Sequence, residues 1–207
     1  MSSVKIKICG VRDRATVDVA ADAGADFIGV VLVASSPRFV PPAEATALAV
    51  DIADAGAMPV AVVRLPLDAA TKAALDAFPI VQFHGSEEPG DLARISSGGG
   101  AWELWKGLHF SRAATASWLA AGCVSRLVVD GPEAGSGERW DPREFAALDD
   151  ATRARCMLAG GLDPSNVAEA IRAARPGGVD VSSGVESARG VKDHARIRAF
   201  IDAVRGA

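Results

Sequence analysis

Short apolar runs recur along this chain, and between them apolar residues return at helical spacing. The runs at 4–8, 27–33, 60–63, 80–83, 102–106 and 126–129 read as buried strands. Two more, 157–159 and 179–181, lie in the stretch 156–186. Between them, a helix is predicted over 14–23, closed by Gly24. A second carries Ala45, Leu48, Ala49 and Ile52 on one face, and a third starts at the cap residue Asp68. Further helices are predicted at 91–95 and 113–119, and from Asp141-Pro142 with Phe145 and Leu148 inward. In the seventh, Asp163 serves as cap, Pro164 sits in the first turn, and Val167, Ala170, Ile171 and Ala174 form the stripe that Pro176-Gly177-Gly178 stops. Ile197, Phe200, Ile201 and Val204 give the last helix its apolar face.

Eight strand–helix units in 207 residues imply a parallel sheet covered by helices, and the count favours a closed (β/α)₈ barrel, a TIM barrel, as a single domain over 1–207. An open flavodoxin-like sheet is the alternative. The composition, 49% hydrophobic and 23% charged, is that of an ordinary soluble chain. A net charge of -4 with no basic stripe argues against nucleic acid. The apolar run 27–34 is too short to cross a bilayer, and MSSVKIKICG lacks the apolar core of a signal peptide, so no membrane partner and a cytoplasmic location are expected. Three cysteines at this spacing suit neither a disulfide framework nor a zinc site.

In a barrel of this kind chemistry gathers at the C-terminal ends of the strands. Cys9 stands there on the first strand, Arg38 in the loop after the second, Arg64 on the third, Gln82 and His84 on the fourth, and Asp130 on the sixth. Strands one and six lie three steps apart around the ring, so Cys9 and Asp130 should face each other across the mouth, as an acid–base pair. Lys7 shares the period-two face of Cys9, which puts a cation beneath the thiol. Gly160-Gly161 and Ser182-Ser183-Gly184 end two neighbouring strands, and their bare amides suit a phosphate dianion. Cys123 and Cys156 read as packing residues, and His109 and His194 as surface residues away from any strand end.

The segments KICG, SPRFV, VQFHG, LAGGLDPSNV and GVDVSSGVE together resemble the phosphoribosylanthranilate isomerases. The resemblance implies a (β/α)₈ barrel that converts N-(5-phosphoribosyl)anthranilate to an aminodeoxyribulose phosphate by an Amadori rearrangement in tryptophan synthesis, without metal or cofactor. It implies Asp130 as general acid and Cys9 as general base, the acid with a raised pKa and the thiol with a lowered one. Arg38 would pair with the anthranilate carboxylate as a planar fork, and the phosphate would lie on Gly160, Gly161, Ser182, Ser183 and Gly184. His84 and Asp180 are counted with the substrate-binding residues. The expected partner is the small phosphosugar, bound by a monomer or homodimer. Two departures stand out: Gly29-Val30-Val31-Leu32 where the family has a GFVF-like run, and an altered loop at 134–142. An isomerase of the histidine pathway, and a non-catalytic phosphosugar-binding barrel, are the competing readings.

Overall fold

A computed structural model describes residues 4–131 and 142–207. Its centre is a closed barrel of eight parallel strands in sequential order. These are β1 (Lys5–Cys9), β2 (Phe27–Val31), β3 (Met58–Val63), β4 (Ile80–Phe83), β5 (Glu103–His109), β6 (Arg126–Asp130), β7 (Cys156–Ala159) and β8 (Gly178–Val181). Around it lie α1 (Arg14–Ala23), α2 (Pro42–Asp54), α3 (Ala69–Ala74), α4 (Pro89–Ser97), α5 (Arg112–Ala120), α6 (Pro142–Ala146), α7 (Asp150–Ala154), α8 (Val167–Ala174) and α9 (His194–Arg205). A two-stranded antiparallel strap, β9 (Glu186–Ala188) and β10 (Val191–Lys192), follows β8. The barrel excludes the open-sheet alternative, because β1 pairs with both β2 and β8.

Alternation along each strand builds two packed layers. Outward residues such as Ile6, Ile28, Val63, Phe83, Leu127 and Leu158 join the helix stripes in one large core. Inward residues Val60, Ile80, Trp105, Val128, Met157 and Ala159 fill the barrel. Cys9, Val31 and Val62 pack together above them, at the C-terminal end. Cys156 faces the helices, fully buried, and burial pushes its thiol up to about 12; Cys123 is half-buried and hydrogen-bonded to the Pro89 carbonyl.

Several boundaries differ from the sequence reading, each for a local reason. β1 runs one residue further and takes in Cys9. β5 runs to His109 rather than ending at Lys106, because Gly107 is not a break: it is an inward position left empty for the His84 ring, into which any Cβ would drive. His109 therefore does end a strand, although its side chain is exposed. Asp163 does not cap α8. Its carboxylate folds back onto the Ser165 amide, 2.7 Å away, and the helix begins only after Asn166. The short helix α7, capped by Asp149 at the Thr152 amide, and the β9–β10 strap went unread. α4 is longer than expected, with Glu88 and Asp91 forming a reciprocal capping box. The altered loop at 134–141, including Asp141, lies outside the described residues.

One buried ion pair braces the loops above β3 to β5. Lys106 points out of the barrel, its ammonium 2.6 Å from Glu87 and 2.6 Å from the Gly85 carbonyl, and 5.5 Å from the Trp118 ring centre. Glu87 also accepts from the amides of Gly85 and Leu65, and these bonds hold its carboxyl below the usual range despite burial. Both side chains are almost fully shielded from water. Removing one charge strands the other. Glu87→Ala is therefore expected to cost roughly 3–5 kcal/mol in urea unfolding, and the double variant with Lys106→Met to recover most of it. Equal stability of single and double variants would refute the pairing.

Candidate active site

The ends of β1 to β4 and β6 to β8 surround a cavity of about 440 Å³ at the C-terminal mouth. Cys9, Arg38, His84, Asp130, Gly160, Gly161, Asp180, Ser182 and Ser183 all line it, with Arg64, Gln82 and Val31. Of the expected residues, Gly184 alone is not at the wall. It sits behind, where a Cβ would drive into the Leu162 carbonyl, so it fits the turn after β8 against the turn after β7. Gly160 and Gly161 both have positive φ, 79° and 67°, and a Cβ on Gly160 would come within 2.6 Å of the Gly131 amide nitrogen. Gly160 is thus required by both conformation and space, and Gly161 is favoured by its conformation alone.

Cys9 lies on the β1 side. Beneath it Lys7, with no exposure to solvent, donates to Asp180 of β8 at 2.9 Å. Burial alone would depress this lysine, but the Asp180 carboxylate and the Cys9 sulfur outweigh it and leave its pKa above the ordinary value. Gly29 makes room for both neighbours: a Cβ there would meet the Cys9 sulfur at 3.0 Å and the Lys7 Cε at 3.2 Å. The thiol itself departs from expectation. Burial pushes Cys9 up, Lys7 pulls it back, Asp180 adds to the rise and Lys192 opposes it, and the net direction is upward. In the empty site Cys9 is a thiol held ready beside cations, not a standing thiolate.

Asp130 lies on the β6 side, next to His84. The His84 Nε2 is 3.2 Å from the Asp130 carboxylate, and Nδ1 is 3.2 Å from the Gln82 amide nitrogen. Gln82 is buried, and its Oε1 has no partner among the described residues. A second cavity, of about 740 Å³, shares His84, Asp130, Arg64, Gly160 and Gly161 with the first and reaches His109. His109 is thus a rim residue that the sequence reading missed because it ended β5 too early. His194 is exposed and meets Thr16, away from the cavity.

Arg38 is already engaged. Its Nε and Nη2 donate to the two carboxylate oxygens of Glu186 at 2.6 and 2.9 Å, so the chain itself takes one edge of the guanidinium and leaves the Nη1/Nη2 edge. Gly10 allows the Arg38 stem to pass where a Cβ would collide with it. Glu186 also accepts from Lys192 at 2.9 Å and from the Gly190 amide at 3.0 Å. Burial works against its charge, but Arg38, Gly190 and Lys192 prevail and hold it at about 2. Sequence reasoning missed Glu186 and Lys192, which are on the strap.

The chain matches the family model for N-(5'-phosphoribosyl)anthranilate (PRA) isomerase over residues 6–203. It belongs to that family. It is 38% identical to the N-(5'-phosphoribosyl)anthranilate isomerase of Pseudomonas fluorescens strain Pf0-1, across 99% of this chain and 100% of the relative. Among solved structures it resembles TrpF from Jonesia denitrificans, with 38% identity, a TM-score of 0.80 and coverage of 99% and 98% of the two chains. It resembles equally well, at a TM-score of 0.80 and 27% identity over 99% and 100% of the chains, a phosphoribosyl anthranilate isomerase in complex with reduced 1-(o-carboxyphenylamino)-1-deoxyribulose 5-phosphate. Among the described residues, no helix is long and apolar enough to cross a membrane, and no group of His, Cys, Asp and Glu could hold a metal.

The depressed value of Glu186 has a pH consequence. Its folded pKa of about 2 lies below the ordinary 4.5, so its contribution to stability is complete above pH 4.5 and drains away as the pH falls toward 2. That contribution is on the order of 3 kcal/mol. The stability gap between wild type and Glu186→Gln should be widest near neutrality and shrink between pH 5 and pH 3 in paired denaturant titrations. A gap that stays constant over this range would contradict the assignment.

Proposed function

We propose that this chain converts N-(5-phosphoribosyl)anthranilate to 1-(2-carboxyphenylamino)-1-deoxyribulose 5-phosphate, an aldose–ketose isomerisation of tryptophan biosynthesis. The observation that carries the reading is the pairing of Cys9 and Asp130 across a single cavity whose rim is the glycine turns after β7 and β8. Such a cavity can grip a sugar phosphate at its tail and present its first two carbons to an acid and a base.

The phosphate sits on the turns at Gly160-Gly161 and Ser182-Ser183, where backbone amides and hydroxyls meet a dianion. Asp130 protonates the ring oxygen of the aminosugar, the C1–O bond breaks, and the nitrogen lone pair closes an iminium. Cys9 takes the proton from C2, and the C–H electrons neutralise the iminium to give an enol that tautomerises to the ketone. Lys7 beneath the sulfur favours the anion the step requires, since an adjacent cation stabilises a thiolate. His84 fixes the acid. With the Gln82 amide nitrogen donating to Nδ1, the imidazole proton faces Asp130. With the amide turned over, Gln82 Oε1 accepts from Nδ1 and gains the partner it lacks, and Nε2 accepts a hydrogen bond from the Asp130 carboxylic acid, which keeps its proton. The second arrangement is the one a general acid needs.

Arg38 reads the anthranilate carboxylate through its remaining guanidinium edge, Nη1 with Nη2, because Glu186 holds the other. The enzyme acts as a cytoplasmic monomer or homodimer, and three free cysteines suit that reducing compartment.

The decisive assay follows loss of phosphoribosylanthranilate fluorescence. Turnover is expected for the wild type, and Cys9→Ala and Asp130→Asn are each expected to lower kcat by about 10²-fold or more. Absence of wild-type turnover would refute the activity. A variant at wild-type rate would refute that residue's role.

A further inference from the structure

The strap after β8 brings a second lysine to the turn that is hydrogen-bonded to the residue bearing the catalytic thiol. Lys192, on β10, has only 3% of its side chain exposed. Its ammonium donates to the Ser182 carbonyl at 2.9 Å and to Glu186 at 2.9 Å, with the Ser182 hydroxyl at 3.4 Å. That hydroxyl in turn donates to the Cys9 carbonyl at 3.1 Å. Lys192 is thus fixed against the residue bearing the base by a short chain of bonds, and its charge acts on the sulfur directly.

The charges around the sulfur are unbalanced. Lys7 on β1, Lys192 on β10 and Arg38 from the loop after β2 are cations. Asp180 on β8 and Glu186 on β9 are the anions bonded to them. Three cations against two anions leave one positive charge in excess, and a thiolate at Cys9 makes the group neutral. Asp130 and His84 face each other on the opposite wall. Arg12 is directed to the carbonyls of Pro37 and Gly190. Asp180 already matches Lys7, and Glu186 is shared between Arg38 and Lys192. The unmatched charge therefore belongs to the Arg38–Glu186–Lys192 group, and Lys192 is the member tied through Ser182 to the backbone of Cys9.

We infer that Lys192 is a positioning residue of the isomerase, pinned by Glu186 and Ser182 so that its ammonium favours the anion that the Cys9 sulfur must become to accept the C2 proton. When the proton arrives, the sulfur becomes neutral, and the positive excess returns to a group already shielded from water. The strap is then part of the base, not a mere closure after β8. This inference rests on the isomerase reading for its chemistry, but its central measurement does not.

That measurement is the pH dependence of Cys9 alkylation by iodoacetamide, read on the Cys9 peptide by mass spectrometry so that Cys123 and Cys156 do not contribute. Lys192→Met should move the midpoint upward by about one pH unit or more, the size expected for loss of a close opposite charge. Lys192→Arg should hold it near the wild-type value. Glu186→Gln, which adds a positive excess, should move it downward. Opposite displacements from the two neutralising variants would support the inference, since a loosened strap alone would shift both the same way. Coincident midpoints for wild type and Lys192→Met would overturn it. Should Lys192→Met not fold, Glu186→Gln decides, downward in support and unchanged or upward against. In turnover, Lys192→Met should fall at least tenfold below wild type at pH 7, with the deficit narrowing as the pH rises through the displaced midpoint. A wild type without turnover would remove the isomerase reading while leaving the titration result intact.

Discussion

Lys7 carries a full charge inside the barrel, where no water reaches it, and the site is arranged around that fact. An ammonium so placed is tolerable only with a partner. Asp180 is the partner, and because it stands on β8 the pair joins the first stave to the last where the barrel closes. One oxygen of the Asp180 carboxylate is committed to Lys7. What remains of the local field falls on Cys9, one inward step above Lys7. The same pair that closes the barrel therefore conditions the reactive sulfur, which links barrel closure to chemistry through two side chains.

Glycine at position 29 makes this possible. Here the inward position opposite Cys9 is empty, and the apolar wall comes from Val31 and Val62. Gly107 on β5 does the same for His84 across the mouth. Each side of the acid–base pair thus has a glycine on a neighbouring strand that leaves it its volume, a packing requirement more than a backbone one.

Much of this was legible in the residues. The apolar stripes of α2, α8 and α9 follow helical spacing closely enough that their members could be named in advance, and Ile80–Phe83 needed no tertiary information. Cys9, Asp130 and the two glycine turns were readable because the rule that places chemistry at strand ends is topological. Three kinds of feature were not. The end of β5 was hidden because Gly107 has the composition of a break and the function of a gap. The strap was hidden because Glu186–Ala188 and Val191–Lys192 are too short to show periodicity. The Arg38–Glu186 pair was hidden because its members lie 148 residues apart, and no local pattern announces that one edge of a guanidinium is already taken. Sequence patterns report burial and turns well, and long-range ion pairing poorly.

Gly184 carries a last implication. With its missing side chain replaced by the Leu162 carbonyl, the turn after β8 is packed hard against the turn after β7, and neither half can close further on the other. A cradle assembled this way does not fold around an incoming anion; it stands open at fixed width. Its selectivity must then come from fit alone, so a tetrahedral oxyanion of the right span is accepted without reorganisation, while a flat or oversized one meets a frame with no give.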